Sequence, residues 1–203
     1  MKIFCIGRNY AAHAKEMNSA VPDKPMVFMK PSTALLKPGA EFYYPDFATN
    51  IHYECEVVLK ICKNGRHIQR QFASNYFQEI SLGLDLTERS IQKQCKDKGH
   101  PWEIAKSWDH SAPIGKFVSK EEFTSMDSIT FELEQNGKTV QSGNTRDLIF
   151  DFETLIVYIS KLFTLQNGDL IYTGTPEGVG PINKNDNLIA KLGGTEVLNL
   201  NIK

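Results

Sequence analysis

The sequence predicts a β-rich α+β domain. Three observations carry that prediction: polar and apolar residues alternate from His52 to Ile61, Asn-Gly pairs stand between strand-like runs at Asn64-Gly65 and Asn136-Gly137, and only three segments have helical character. Alternation with a period of two suits a pleated strand, whose successive side chains point to opposite faces. Asn-Gly accommodates the positive φ angles of a type I′ turn, so each pair predicts a tight hairpin.

In chain order, the first helical segment is the alanine-rich stretch from Tyr10 to Met17. The second runs from Phe72 to Ile80, where Phe72, Tyr76, Phe77 and Ile80 fall near helical spacing. The third, Asp151 to Phe163, gathers Leu155, Ile156, Ile159, Leu162 and Phe163. Asp151 is placed to cap its N-terminus, and Asn167-Gly168 offers a stop before a strand from Asp169 to Thr173. Residues Lys93 to Trp102, with Gly99, Pro101 and several charges, read as a loop that either helps cover a site or is a plain exposed connection.

No repeat, low-complexity tract or Ser/Pro-rich linker divides the 203 residues, 41% of them hydrophobic, so a single domain over residues 1–203 is expected. Lys and Arg number 23 against 24 Asp and Glu, a net charge of -1 that argues against a nucleic-acid or anionic-membrane partner. The apolar stretch in Met1–Tyr10 is too short for a leader core or a membrane span. Cys5, Cys55, Cys62 and Cys95 form no Cys-x-x-Cys pair, and a reducing cytoplasm is the expected location.

On the predicted strand His52–Ile61, His52, Glu54, Glu56 and Lys60 share one face, and Tyr53, Cys55, Val57, Leu59 and Ile61 the other, which reads as a half-buried strand. Glu54 and Glu56 then point the same way, roughly 6 to 7 Å apart along the chain, close enough for flexible carboxylates to meet on one cation. Alone, a Glu-x-Glu more often marks a solvent-facing strand surface. Asp85 adds a third acid where the apolar strand Ile80–Leu84 should end. Three carboxylates without histidine or thiolate select a hard ion, Mg²⁺ first, then Mn²⁺, with Ca²⁺ behind. If each gave one oxygen, an octahedral ion would keep positions for a chelating substrate and a water.

His13 and Glu16, three apart in a helical turn, lie on one face, where the carboxylate could hold the imidazole in a fixed tautomer; the plainer alternative is an ordinary surface pair. The chain also contains Gly7-Arg-Asn-Tyr-Ala-Ala-His-Ala-Lys-Glu16, Asp85-x-Thr-x-Arg-x-x-Gln92, Lys106-x-x-Asp109-x-x-x-Pro-x-Gly115, Asn136-Gly137 with Gln141, Thr145 and Asp147, and Gly174-Thr-Pro-Glu-Gly-Val-Gly180. With Glu54-x-Glu56 these motifs, collinear from about residue 6 onward, resemble the fumarylacetoacetate hydrolase family, and its small single-domain acylpyruvate hydrolases and oxaloacetate decarboxylases in particular.

The resemblance implies a mixed β-sandwich roll, usually a homodimer, with Glu54, Glu56 and Asp85 holding Mg²⁺ or Mn²⁺. It also implies that His13 and Glu16 lie on a substrate-closing segment and act in catalysis, and that Lys106 faces the substrate oxygens. Gln92 and Thr175 are expected to contact the substrate, as is Arg8, while Arg89 is a candidate anchor for a neighbouring acid. The expected reaction is hydrolysis of an acylpyruvate. His13 deprotonates water for attack on the distal carbonyl, Glu16 stabilises the imidazolium, and the pyruvate enolate released is stabilised by the cation and Lys106. Oxaloacetate decarboxylation passes through the same enolate. Two alternatives stand beside this reading: an isomerase or decarboxylase of the 2-hydroxyhepta-2,4-diene-1,7-dioate type from aromatic degradation, and a non-enzymatic module with a structural cation site.

Overall fold

The computed structural model describes residues 1–16 and 20–203. Its first half contains β1 (Ile3–Gly7), α1 (Ala11–Glu16), β2 (Met26–Lys30), β3 (Leu35–Leu36), β4 (Ile51–Tyr53), β5 (Cys55–Ile61), α2 (Arg70–Ala73), β6 (Phe77–Leu84), β7 (Thr87–Glu88) and α3 (Arg89–Lys98). The second contains α4 (Glu103–Lys106), β8 (Ala112–Pro113), β9 (Val118–Ser119), β10 (Thr130–Gln135), β11 (Lys138–Asn144), α5 (Phe152–Leu162), β12 (Leu170–Tyr172), β13 (Gly180–Pro181), β14 (Asn187–Leu192) and β15 (Thr195–Asn201). The expected strand-rich α+β class is the one observed.

A six-stranded sheet in the order β2-β1-β12-β5-β6-β9 is buried on both faces. Phe4, Ile6, Val57, Leu59 and Leu82 point into the main core, where Phe131, Leu133, Leu188 and Ala190 meet them from the antiparallel sheet β11-β10-β14-β15. Ile3, Cys5, Val58 and Tyr172 point the other way into a smaller cluster with Ala112 and Ile114. The period-two alternation of each strand thus feeds two apolar layers. Among the described residues no helix is long and apolar enough to cross a membrane.

Asn136 and Gly137 take φ angles of 54° and 78° between β10 and β11, as a type I′ hairpin requires. α5 begins after Asp151, whose carboxylate accepts the Thr154 N–H at 2.8 Å, and Gly168 turns the chain with φ 87° before β12. Tyr10–Met17 is helical over Ala11–Glu16; Met17 lies outside the described residues.

Four expectations need correction. Asn64-Gly65 makes no two-residue hairpin; Gly65 instead exchanges backbone bonds with Leu165, at 3.0 and 2.8 Å, as an isolated bridge. The second predicted helix stops after a short turn, and Phe77 to Ile80 belong to β6. There a bulge lets Phe77 face Ile61 and Glu79 face Lys60, leaving Gln78 as the extra residue, so Phe77 and Ile80 share a face at a spacing that imitates a helix. Lys93 to Lys98 complete α3, closed by Gly99 in the left-handed region, so only the last residues of Lys93–Trp102 form a loop. Finally, the His52–Ile61 strand is not half-buried: Glu54 and Glu56 are 6% and 1% exposed.

That burial follows from topology. β4 belongs to the small sheet β13-β4-β7, whereas β5 sits inside the large one, and Glu54 is the residue where the chain changes sheets. β6 runs antiparallel to β5, so its end delivers Asp85 beside Glu54, and the Asp85 N–H donates to the Glu54 carbonyl at 2.9 Å.

Candidate active site

Carboxylate oxygens of Glu54, Glu56 and Asp85 lie within 4.8 Å of one another, and all three residues are buried. Such a cluster is stable only if its charge is met. Lys106, itself buried at the end of α4, donates to Glu54 Oε2 at 2.8 Å and to Asp85 Oδ2 at 2.6 Å. Arg89, at the start of α3, donates to Glu54 Oε1 at 2.6 Å and to Gln92 Oε1 at 3.0 Å, which makes it the anchor of a neighbouring acid that its place in the motif suggested. Burial pushes the Glu54 carboxyl up, but Lys106 and Arg89 outweigh it and hold the group well below the usual carboxylate range. Burial likewise opposes the Lys106 ammonium, and Asp85 and Glu54 outweigh it, raising its pKa.

Glu56 differs. Its Oε2 accepts the Gly174 N–H at 2.7 Å, and among the described residues no cation pairs with it. Burial, then Asp85 and Glu54, push its carboxyl well above the ordinary range. Asp85 Oδ1 accepts no aligned hydrogen bond among the described residues, although the Lys30 ammonium stands 2.9 Å away. A Glu56 carboxylate with no paired cation among the described residues, an Asp85 oxygen met by Lys30 without an aligned hydrogen bond, and an all-oxygen donor set fit a hard divalent cation at Glu54, Glu56 and Asp85.

Gly174 can supply that N–H because it has no side chain: its φ is 104°, and a Cβ there would collide with Asn9. Asn9 in turn donates to the carbonyls of Phe150 and Thr173 at 3.0 and 2.8 Å, fixing the start of α1 against the strand that leads to Gly174. On α1, His13 Nδ1 lies 3.1 Å from Glu16 Oε2, and Glu16 Oε1 accepts the Gly178 N–H at 3.1 Å. Because a carboxylate only accepts, this contact assigns a proton to Nδ1, and in the neutral imidazole that tautomer leaves the lone pair on Nε2. Thr175 Oγ1 accepts from Gln141 Nε2 at 2.9 Å, and Gln141 Oε1 accepts the Cys55 N–H at 2.9 Å, coupling the glycine-rich turn to the metal-ligand strand.

One cleft is lined by Arg8, His13, Glu54, Glu56, Gln92 and Thr175. Every residue singled out as a candidate therefore borders this cleft or, as with Asp85, Lys106 and Glu16, touches a residue that does. Lys30 escaped the sequence reading. Fully buried, its ammonium donates to the carbonyls of Leu86 at 3.3 Å and Ser111 at 3.0 Å, to Ser111 Oγ at 3.0 Å, and to the Lys106 carbonyl. It thus ties β2 to the segments bearing Asp85 and Lys106. Its signal was a charge closing the apolar run Met26-Val-Phe-Met29.

A family model for the fumarylacetoacetate (FAA) hydrolase C-terminal region matches residues 2–200. Over 201 residues the chain is 42% identical to mitochondrial oxaloacetate tautomerase FAHD1 of Mus musculus, covering 99% of this chain and 91% of that one. Over 194 residues it is 40% identical to oxaloacetate tautomerase YcgM of Escherichia coli K12, covering 95% and 89%. The crystal structure of Pseudomonas aeruginosa fumarylpyruvate hydrolase in complex with Mn²⁺ and pyruvate matches with a TM-score of 0.93 at 34% identity, covering 100% of this chain and 89% of that one. Fold and carboxylate cluster together define a divalent-metal-dependent enzyme. The chain belongs to the fumarylacetoacetate hydrolase family.

Proposed function

We propose that the protein catalyses keto–enol tautomerisation of oxaloacetate, a small 2-oxo acid, with Mg²⁺ or Mn²⁺ held by Glu54, Glu56 and Asp85. The observation that carries the reading is the orientation of His13: Glu16 engages Nδ1, which leaves Nε2 as a base on the cleft that holds the carboxylates. The names and coverage of the FAHD1 and YcgM relatives support it. The bound cation would supply Lewis acidity to the oxygens of the 2-oxo acid. His13 takes a proton from the carbon next to the keto group, and Glu16 stabilises the resulting imidazolium. Lys106 opposes the negative charge that develops on the keto oxygen. Arg8, Gln92 and Thr175 orient the substrate.

Acylpyruvate hydrolysis is the second reading, favoured by the likeness to the fumarylpyruvate hydrolase with Mn²⁺ and pyruvate. There His13 activates water for attack on the distal carbonyl, and the carbon–carbon bond breaks to leave pyruvate enolate. Oxaloacetate decarboxylation would use the same enolate without water. The relative of Dictyostelium discoideum, 40% identical over 182 residues and named a mitochondrial oxaloacetate decarboxylase, supports that activity as an accompaniment. We place the enzyme in the cytoplasm as a homodimer of a single catalytic domain, which sedimentation and cell fractionation would test.

The deciding experiment follows the enol absorbance of oxaloacetate and, separately, pyruvate release from oxaloacetate and from acetylpyruvate, all at saturating Mg²⁺. Enol decay faster than pyruvate release supports the tautomerase; acetylpyruvate cleavage with slow enol decay favours the hydrolase. His13→Ala should lower the principal activity roughly 10²- to 10⁴-fold, the usual contribution of a positioned general base. Undiminished turnover in that variant would remove His13 from the mechanism.

A further inference from the structure

Two cations on the cleft take no part in the proton transfer described above. Arg8 and Lys96 both line it, and neither makes an ion pair or a side-chain hydrogen bond among the described residues. The other basic side chains at the site, Arg89 and Lys106, are committed to Glu54 and Asp85. Lys96 follows Arg89 and Gln92 on one face of α3, so the helix presents all three to the same opening. Its ammonium lies 5.3 Å from the centre of the Trp102 ring, which also borders the cleft. Arg8 enters from the opposite element, just beyond β1, with φ 59°, a left-handed conformation that holds it off the strand's course. Partial burial and then the charges of Arg89 and Arg8 disfavour the Lys96 ammonium, so an anion arriving here would relieve like-charge repulsion.

We infer that Arg8 and Lys96 form a subsite for the second carboxylate of the substrate, so that the cleft selects 2-oxo dicarboxylates over 2-oxo acids with an uncharged tail. This deepens the proposed function and rests on it for the placement of the 2-oxo head at Glu54, Glu56 and Asp85. An apolar recess lined by Val27, Phe28, Met29 and Pro101 lies nearby and would suit an uncharged acyl group instead. Met26 and Trp102 border both spaces, and the Met26 methyl packs against Gly7 on the cleft side. The two cations thus share a cleft with Glu54 and Glu56, whereas neither acid is on the wall of the apolar recess.

The test is a binding ratio, which does not depend on which reaction the enzyme performs. Labelled oxalate bound to the Mn²⁺-loaded protein is displaced by pyruvate or, in a rapid-mixing assay, by oxaloacetate. The wild type should bind oxaloacetate at least about ten-fold more tightly than pyruvate. Lys96→Met, which keeps an apolar stem beside Trp102, and Arg8→Gln should each shrink that ratio several-fold, while Lys96→Arg should preserve it. A ratio near one in the wild type, or one that neither Lys96→Met nor Arg8→Gln alters, would overturn the subsite. Oxalate that fails to bind at all would instead overturn the placement of the 2-oxo head, and a preserved ratio without turnover would count against the tautomerase alone.

Discussion

The most consequential single side chain outside the acidic cluster is Lys30. Placing an ammonium in a fully buried position costs several kcal/mol unless its protons are taken up, and here Asp85, Leu86, Lys106 and Ser111 surround it. Lys30→Met should therefore destabilise the protein by about 3 to 5 kcal/mol, the usual cost of leaving one partner of a buried pair behind. Urea unfolding measures this, and a loss below about 1 kcal/mol would show that the ammonium is no fastener. Asp186, which does not line the cleft, offers a milder case. Burial raises its carboxyl, but hydrogen bonds from Asn136, Asn183 and Gln135 prevail and lower it. A carboxyl depressed in the folded state stabilises the protein above its unfolded pKa, about 3.9, and that contribution is lost as pH falls through the lower folded value. The stability gap between wild type and Asp186→Ala should hence be full at pH 7 and narrow below about pH 4, as thermal melts across pH would register.

At the scale of elements, α5 and the β10–β11 hairpin could be read because their determinants are local. Asp151 caps α5 through Thr154 N–H and also pairs with Arg70, so Asp151→Ala should cost about 1 to 2 kcal/mol in chemical denaturation. An unchanged midpoint would deny the cap its role. What misled the reading was settled elsewhere in the chain. The bulge at Gln78 is fixed by pairing with β5, and it converts strand residues into a spacing of three that local pattern alone assigns to a helix. Gly65 is fixed by Leu165, a hundred residues away, and so its Asn-Gly turn signal was overridden. The metal ligands were legible because Glu54 and Glu56 stand two apart in one extended segment and Asp85 follows the end of a strand, whereas Lys30 acts through partners that only the folded chain assembles.

The whole molecule is a compromise between stability and a cluster of buried acids, and a dication should reverse the sign of one mutation. In metal-free protein, Glu56 is buried beside Asp85 and Glu54 with no cation paired to it among the described residues, so Glu56→Gln removes the cost of holding an acid there while its amide oxygen can still accept the Gly174 N–H. The variant should then melt at or above the wild-type temperature in chelator. With Mn²⁺ or Mg²⁺ added, the wild type gains stability as RT ln(1 + [M]/Kd), about 2.7 kcal/mol at one hundred times Kd, and the variant, lacking one charged ligand, gains less. The two melting curves should therefore exchange order between chelator and metal. This crossing separates a functional cation site from a merely structural cluster of ion pairs: if Lys106, Lys30 and Arg89 alone balanced the acids, metal would shift neither curve, and Glu56→Gln would rank the same in both conditions.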